Sequence, residues 1–187
     1  MRHGFKAEAR RLALELRSEI GLDAHVPIDP YALAKQYGVP VVALSQLPCE
    51  ERHHFLQADG TFSGALIPIG TGRAILENDG HRPSRRRTTM CHEMAHVVLE
   101  HDFAMSLSLD ERKCGLGGVQ EEEADWLSGE ILLPTDGAFR LATRDASDSD
   151  AATAFDVSLA VARWRMNASG ARTVIGRARQ KNVQRGW

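Results

Sequence analysis

Two histidines four residues apart, with a glutamate directly after the first, constrain this chain more than any other feature: His92-Glu93-Met94-Ala95-His96. On an α-helix, positions i and i+4 lie one above the other on the same face, so both imidazoles can reach one point. Val97, Val98 and Leu99 follow at once. The stretch therefore reads as a helix of substantial apolar content, capped at Ser84 and running to about Glu100. A helix packed into a core can hold two ligands rigidly; two solvated histidines on a surface helix would not be held in this way. Neutral imidazole is a preferred zinc ligand. Glu93 can approach a water at such an ion without ligating the ion, which is the placement a catalytic base needs.

A catalytic zinc needs a third protein ligand and an open position for water. The candidates lie in Glu121-Glu122-Glu123-Ala124-Asp125-Trp126, at the start of a helix expected from about Val119 to Leu133 and stopped by Pro134. An acidic helix start also complements the macrodipole, so carboxylates here need no metal to explain them. Trp126, Leu127, Ile131 and Leu132 should mark the buried side. Glu121 and Asp125 share a face, so Glu121 is expected as the ligand and Asp125 as the group that orients a histidine behind it. Glu123 and Glu122 are the fallback ligands. His101 does not fall at the metzincin spacing, and the glycine of that pattern is absent. It reads as a helix-end residue lining the site. Cys91 points away from His92 and reads as a small core residue. Cys114 lies in a Gly-rich loop before the glutamate helix, where a thiolate could block the ion. Zinc is the default metal, although manganese or iron also suits a His/His/Glu set.

Around this centre the chain alternates helical and strand signals. Phe5 to Ile20 is an amphipathic helix stopped by Gly21, and Asp29-Pro30 opens a second helix, Tyr31 to Tyr37, ended by Gly38. Val39 to Leu44, Phe62 to Ile69 and Arg73 to Leu76 read as strands, the last two joined by Gly70-Thr71-Gly72. A polar loop with His53 and His54 lies between the first strand and this pair. The remainder reads as short helices, one of them capped by Ser158.

With 187 residues the chain suits one compact domain, perhaps with a small appendage. Its formal net charge of −2 leaves direct nucleic-acid binding as a secondary reading. From Val157 onward there is no Asp or Glu, whereas Arg163, Arg165, Arg172, Arg177, Arg179, Lys181 and Arg185 all fall there. This stretch is expected to be a solvated, partly disordered tail, or else a surface for an acidic partner or nucleic acid. The cysteines, Cys49, Cys91 and Cys114, are odd in number and widely spaced, which fits a reducing compartment. Met1 to Leu22 carries charges throughout and has no signal-peptide apolar core, and no run approaches the roughly 18 apolar residues of a membrane span. The expectation is a cytoplasmic protein with no membrane partner.

Two blocks carry a resemblance to a known family. Arg85-Arg86-Arg87-Thr88-Thr89-Met90-Cys91 leading into His92–Leu99 resembles the arginine-led HExxH helix of the ImmA/IrrE metallopeptidases. Glu121 to Pro134 is similar to that family's E-x-E-A-N-x-F-A-x-x-L-L-M-P block, whose first glutamate is the third metal ligand and maps onto Glu121. Pro30 to Val39 and Asp156 to Arg163 carry weaker likeness, so the resemblance runs from about Pro30 to Ala168. Ala95 stands where the family often has Gly, Asp125 replaces the usual Asn, Thr88 a common aromatic and Leu133 a Met. None of these removes a ligand or the base.

The resemblance implies an α+β, zincin-like fold of the gluzincin type: a small twisted sheet packed on the HExxH helix, a ligand-bearing helix and C-terminal helices. Residues 1–136 would form the metallopeptidase domain and 137–187 a helical, HTH-like segment with the basic tail, packed on the same domain. It also implies a regulatory endopeptidase that cleaves a partner transcriptional repressor of the helix-turn-helix type, in mobile elements or stress responses. His101 and the Arg85–Arg87 run are candidate sources of oxyanion stabilisation. Two other readings stand beside this one. One is a non-catalytic metal-containing module that binds a partner or DNA; its DNA affinity would fall steeply with salt. The other is a toxin-like member of a two-gene unit, which the neighbouring genes would reveal.

Overall fold

The computed structural model describes residues 1–56, 62–70, 72–101 and 118–185. Cys114, most of the Gly-rich loop and Thr71 lie outside the described residues. The chain begins with α1 (Phe5–Glu19) and α2 (Pro30–Gln36), followed by β1 (Val41–Ala43), a 3-10 turn (Leu44–Gln46) and α3 (Cys49–Leu56). Next come β2 (Gly64–Ile69), β3 (Gly72–Glu77), α4 (Pro83–Val98) and α5 (Gly118–Leu132). Four helices complete it: α6 (Thr135–Thr143), α7 (Asp148–Phe155), α8 (Leu159–Ala168) and α9 (Ala171–Arg185). The α+β expectation holds, with a small mixed sheet beside many helices.

The sheet order is β1-β3-β2, with β1 parallel and β2 antiparallel to β3. Central β3 is the buried strand: Ala74, Ile75, Leu76 and Glu77 are all covered. Helix α4 packs against β2, β3 and α2 on one side and against α5 on the other, and α1 packs on α5. The core sits at these junctions, where Met90, Cys91, Met94 and Ala95 of α4 meet Ala124, Leu127 and Ile131 of α5 and Phe5, Ala9, Ala13 and Leu16 of α1. That last set recurs at helical spacing, so α1 lays one apolar stripe on its neighbour. Beyond it, buried Arg17 donates to the Ile131 carbonyl at 2.7 Å, satisfying an acceptor in the last turn of α5.

One ion-pair network sets how α4 meets the sheet. Glu77, at the end of β3, accepts Arg86 Nε at 3.0 Å, Arg86 Nη2 at 2.8 Å and the Tyr31 hydroxyl at 2.5 Å. Glu77 is 1% exposed, so these bonds supply what water would otherwise give its carboxylate.

Several local expectations need correction. The segment with His53 and His54 is helix α3, not a loop; Glu50 and Glu51 in its first turn suit the helix dipole, and the absence of an apolar stripe hid it from periodicity. Ser84 does not cap α4. Pro83 takes the first helical position, where its missing N–H costs nothing, and the Ser84 carbonyl accepts the Thr88 hydroxyl at 3.0 Å. Strand β1 is shorter than expected because the Val39 amide bonds back to Ala34, closing α2 around Gly38 (φ 63°), and Leu44 starts the 3-10 turn.

In the basic stretch the helix capped by Ser158 is found as expected, whereas the reading of a solvated tail needs correction. Up to Arg185 the stretch is two helices, α8 and α9, with the Ser158 hydroxyl accepting from Val161 at 3.2 Å as the cap of α8. Its arginines are largely paired: Arg163 and Arg172 with Asp148 at 3.3 and 2.7 Å, Arg179 with Asp145, and buried Arg165 with Glu130 at 2.5 Å. Acids of α5, α7 and the α6–α7 turn neutralise these charges within the chain. No described helix is long and apolar enough to cross a membrane.

Candidate metal centre

Packing of α4 on α5 brings the two sequence blocks together. His92 and His96, one turn apart on α4, present their Nε2 atoms 3.1 Å from each other. Glu121, in the first turn of α5, places Oε2 3.3 Å from His92 Nε2 and Oε1 3.4 Å from His96 Nε2. These are the residues that could hold a metal ion among those described. Glu122 is 64% exposed, and Glu123 turns to other partners, so neither fallback ligand joins the cluster.

The donor set fits a zinc-sized ion. Metal–ligand bonds of about 2.0–2.1 Å in a tetrahedron separate ligand atoms by about 3.3–3.4 Å; the two imidazole nitrogens lie 3.1 Å apart, and each faces a different oxygen of Glu121. Glu121 Oε1 is buried, and its neighbour is the His96 imidazole at 3.4 Å, which leaves it acceptor capacity for a cation. Burial disfavours charge on His92, yet hydrogen bonds to Asp125 and Glu121 win and raise its pKa to about 10. Burial likewise opposes charge on Glu121, but hydrogen bonds from His92 and His96 lower its pKa to about 2.

Around the cluster, Asp125 Oδ1 lies 3.0 Å from His92 Nδ1. Asp125 is one turn beyond Glu121, so a single helix face supplies both carboxylates. Glu93 is 4% exposed. Burial raises its pKa, against the lowering pull of His92, His96 and the backbone of Leu66. Gly64 makes this approach possible: a Cβ there would fall 2.6 Å from Thr89 Cγ2 and 3.2 Å from the Leu76 carbonyl. Cys91 is buried, and burial pushes its thiol up to about 12, in keeping with an inert core residue.

The sequence reading misplaced the basic groups. Arg86 is committed to Glu77, Arg87 donates to the Ile28 and Asp156 carbonyls, and Arg85 donates to the Ser63 hydroxyl at 2.6 Å. These contacts join α4 to its neighbours. His101 is the helix-end residue expected beside the site, and it meets the cluster through His96. Its Nδ1 lies 2.9 Å from His96 Nδ1, behind the ring, and its Nε2 lies 3.8 Å from Glu123 Oε2. Glu123 accepts Arg2 N at 2.8 Å and Arg2 Nε at 3.0 and 3.1 Å. Sequence reasoning missed this group because Arg2 and Glu123 share no local pattern. One signal was present: His101 is a titratable residue just past the end of the ligand helix.

No curated protein matches the chain. A family model of peptidases, described as the IrrE N-terminal-like domain, matches residues 34–167, which include α4 and α5 and leave α1 outside.

Proposed function

Because the chain belongs to the peptidase family of the IrrE N-terminal-like domain, we propose that it is a zinc-dependent endopeptidase with His92, His96 and Glu121 as ligands and Glu93 as catalytic base. One observation carries the reading: two imidazole nitrogens of one helix and a carboxylate of another converge on one point, with one ligand atom from each residue within 4.8 Å of the others.

A zinc ion bound there supplies Lewis acidity, polarising the scissile carbonyl and acidifying a water toward neutrality. Glu93 takes a proton from the attacking water as its oxygen bonds to the carbonyl carbon. Burial raises the proton affinity of this carboxylate, so it is a stronger base than a solvated one. As the C–N bond breaks, Glu93 returns the proton to the leaving nitrogen, and an acid and an amine result. Asp125 accepts the His92 Nδ1 proton and leaves Nε2 free to ligate.

Among the described residues strand β2 pairs with β3 alone and presents an outer edge, and the Leu66 backbone on β2 favours the charged form of Glu93. An extended peptide laid along that edge would pass the base, which suits an endopeptidase. The proposed substrate is a cytoplasmic helix-turn-helix repressor encoded with the peptidase on a mobile element. The family resemblance supports that part of the reading, and chemistry of the site does not select it.

The test uses the purified full chain with the repressor encoded beside it. Wild-type protein should hold one zinc per chain and cut the repressor at a defined bond, read by mass spectrometry. Glu93→Gln should keep its zinc and lose about 10²–10⁴-fold in rate. Cleavage by Glu93→Gln at the wild-type rate, or a wild-type chain that takes up no divalent metal, would refute the assignment.

A further inference from the structure

Helix α4 ends in an unusual way. Glu100 adopts φ 51°, a left-handed conformation that a non-glycine residue enters at some cost. The His101 amide bonds back to the His96 carbonyl at 3.1 Å and the Glu100 amide to Val97 at 3.1 Å. This reversal lays the His101 ring edge-on against His96, with centroids 5.0 Å apart. Between the facing Nδ1 atoms, 2.9 Å apart, a hydrogen bond needs one proton and one lone pair. His96 Nε2 faces the ligand cluster and must be unprotonated to ligate. The proton therefore sits on His96 Nδ1, and His101 Nδ1 accepts it. The remaining proton of a neutral His101 is then on Nε2, facing buried Glu123, which Arg2 holds through backbone and side chain.

We propose that His101, Glu123 and Arg2 are a chain of positioning residues that fixes the tautomer and ring orientation of His96, so that the segment bearing α1 tunes the metal centre. Arg2 lies outside the residues matched by the family model, so this end of the chain of contacts is supplied by a segment the family match does not include. The inference rests on the metal-centre reading above.

The test measures Zn²⁺ affinity of the full chain by competition with a chromophoric chelator, and the visible spectrum of the Co²⁺-loaded protein. His101→Phe, which fills the space without an acceptor, should weaken Zn²⁺ binding by about 10–100-fold and alter the Co²⁺ bands. His101→Gln, which restores an acceptor, should recover part of the loss. Glu123→Gln, nearly isosteric and expected to fold, should weaken binding by about tenfold. Arg2→Met should weaken it less, because the Arg2 side chain is 56% exposed. Wild-type affinity and Co²⁺ spectrum in His101→Phe and Glu123→Gln would overturn the proposal and leave the metal centre standing. Wild-type affinity in Arg2→Met alone would overturn the link to the N-terminal segment. A wild-type chain that binds no Zn²⁺ would instead remove the underlying metal-centre reading.

Discussion

Glu121 and Glu130 stand near opposite ends of one helix, α5, and have opposite surroundings. Glu130 is 3% exposed and fully partnered: it accepts the Thr135 amide at 2.9 Å, the Thr135 hydroxyl at 2.8 Å and the Arg165 guanidinium at 2.5 Å. Arg165 donates in turn to the Leu133 carbonyl at 3.1 Å and lies near the rings of Trp126 and Trp164. Glu121 is 30% exposed and faces only the two imidazoles among the described side chains. A buried acid gripped by an amide, a hydroxyl and a guanidinium holds elements together, whereas one set opposite two imidazoles is arranged for a cation. The carboxylates are chemically alike; their neighbours distinguish a structural pin from a site.

Substitutions at the two ends should separate. Arg165→Met leaves Glu130 buried without its cation and should cost about 3–5 kcal/mol in urea unfolding, with Zn²⁺ affinity of the folded fraction unchanged. A matching fall in Zn²⁺ affinity would mean the ends are coupled. Glu121→Gln should do the reverse: Zn²⁺ affinity by calorimetry should fall by more than the roughly 100-fold reached by losses behind a ligand, with metal-free stability reduced less than in Arg165→Met. Unfolding of the metal-free variant at much lower urea would show that Glu121 is a pin as well. Gly129→Ala brings a Cβ to 2.4 Å from Trp164 Cζ3 and 2.8 Å from Arg165 Cδ. It should cost about 1–3 kcal/mol at the closed end and spare the metal.

The smallest effect is expected at Asp148→Asn. Hydrogen bonding from Arg172 is the leading cause that lowers the Asp148 pKa from 3.8. A carboxylate depressed in the folded state stabilises above its unfolded pKa, and that contribution disappears as pH falls through the lowered native value. The variant should therefore melt slightly below wild type at pH 7, by under about 1 kcal/mol, with the gap closing in acid. A gap that widens in acid would contradict the ion-pair account.

Much of the centre was legible because it depends on short-range geometry. His92 and His96 share a helix face by spacing alone, and Glu121 and Asp125 do the same on α5. Most helices and strands followed from caps, glycines and alternation; α3, which has no apolar stripe, did not. What escaped depends on tertiary structure. His101 reaches His96 only because Glu100 takes a left-handed turn that no glycine announces. Arg165 sits in a basic run indistinguishable from a solvated one until α8 packs beside Gly129 and presents it to Glu130. The arginines before the HExxH run carried the right emphasis and the wrong task, since their partners, Glu77, Ser63, Ile28 and Asp156, come from four separate places in the chain.

The grip of Arg86 and Tyr31 on Glu77 has an angular consequence. Side chains extend about 5–6 Å from a helix axis, so rolling α4 by about 10° would sweep its imidazoles through about 1 Å. Catalytic geometry tolerates about 0.5 Å. A guanidinium clamped by two bonds, upstream of the histidines on the same rod, resists such a roll and acts as a torsional stop. The strand end, which contributes no ligand, thereby governs the bearing of the HExxH face.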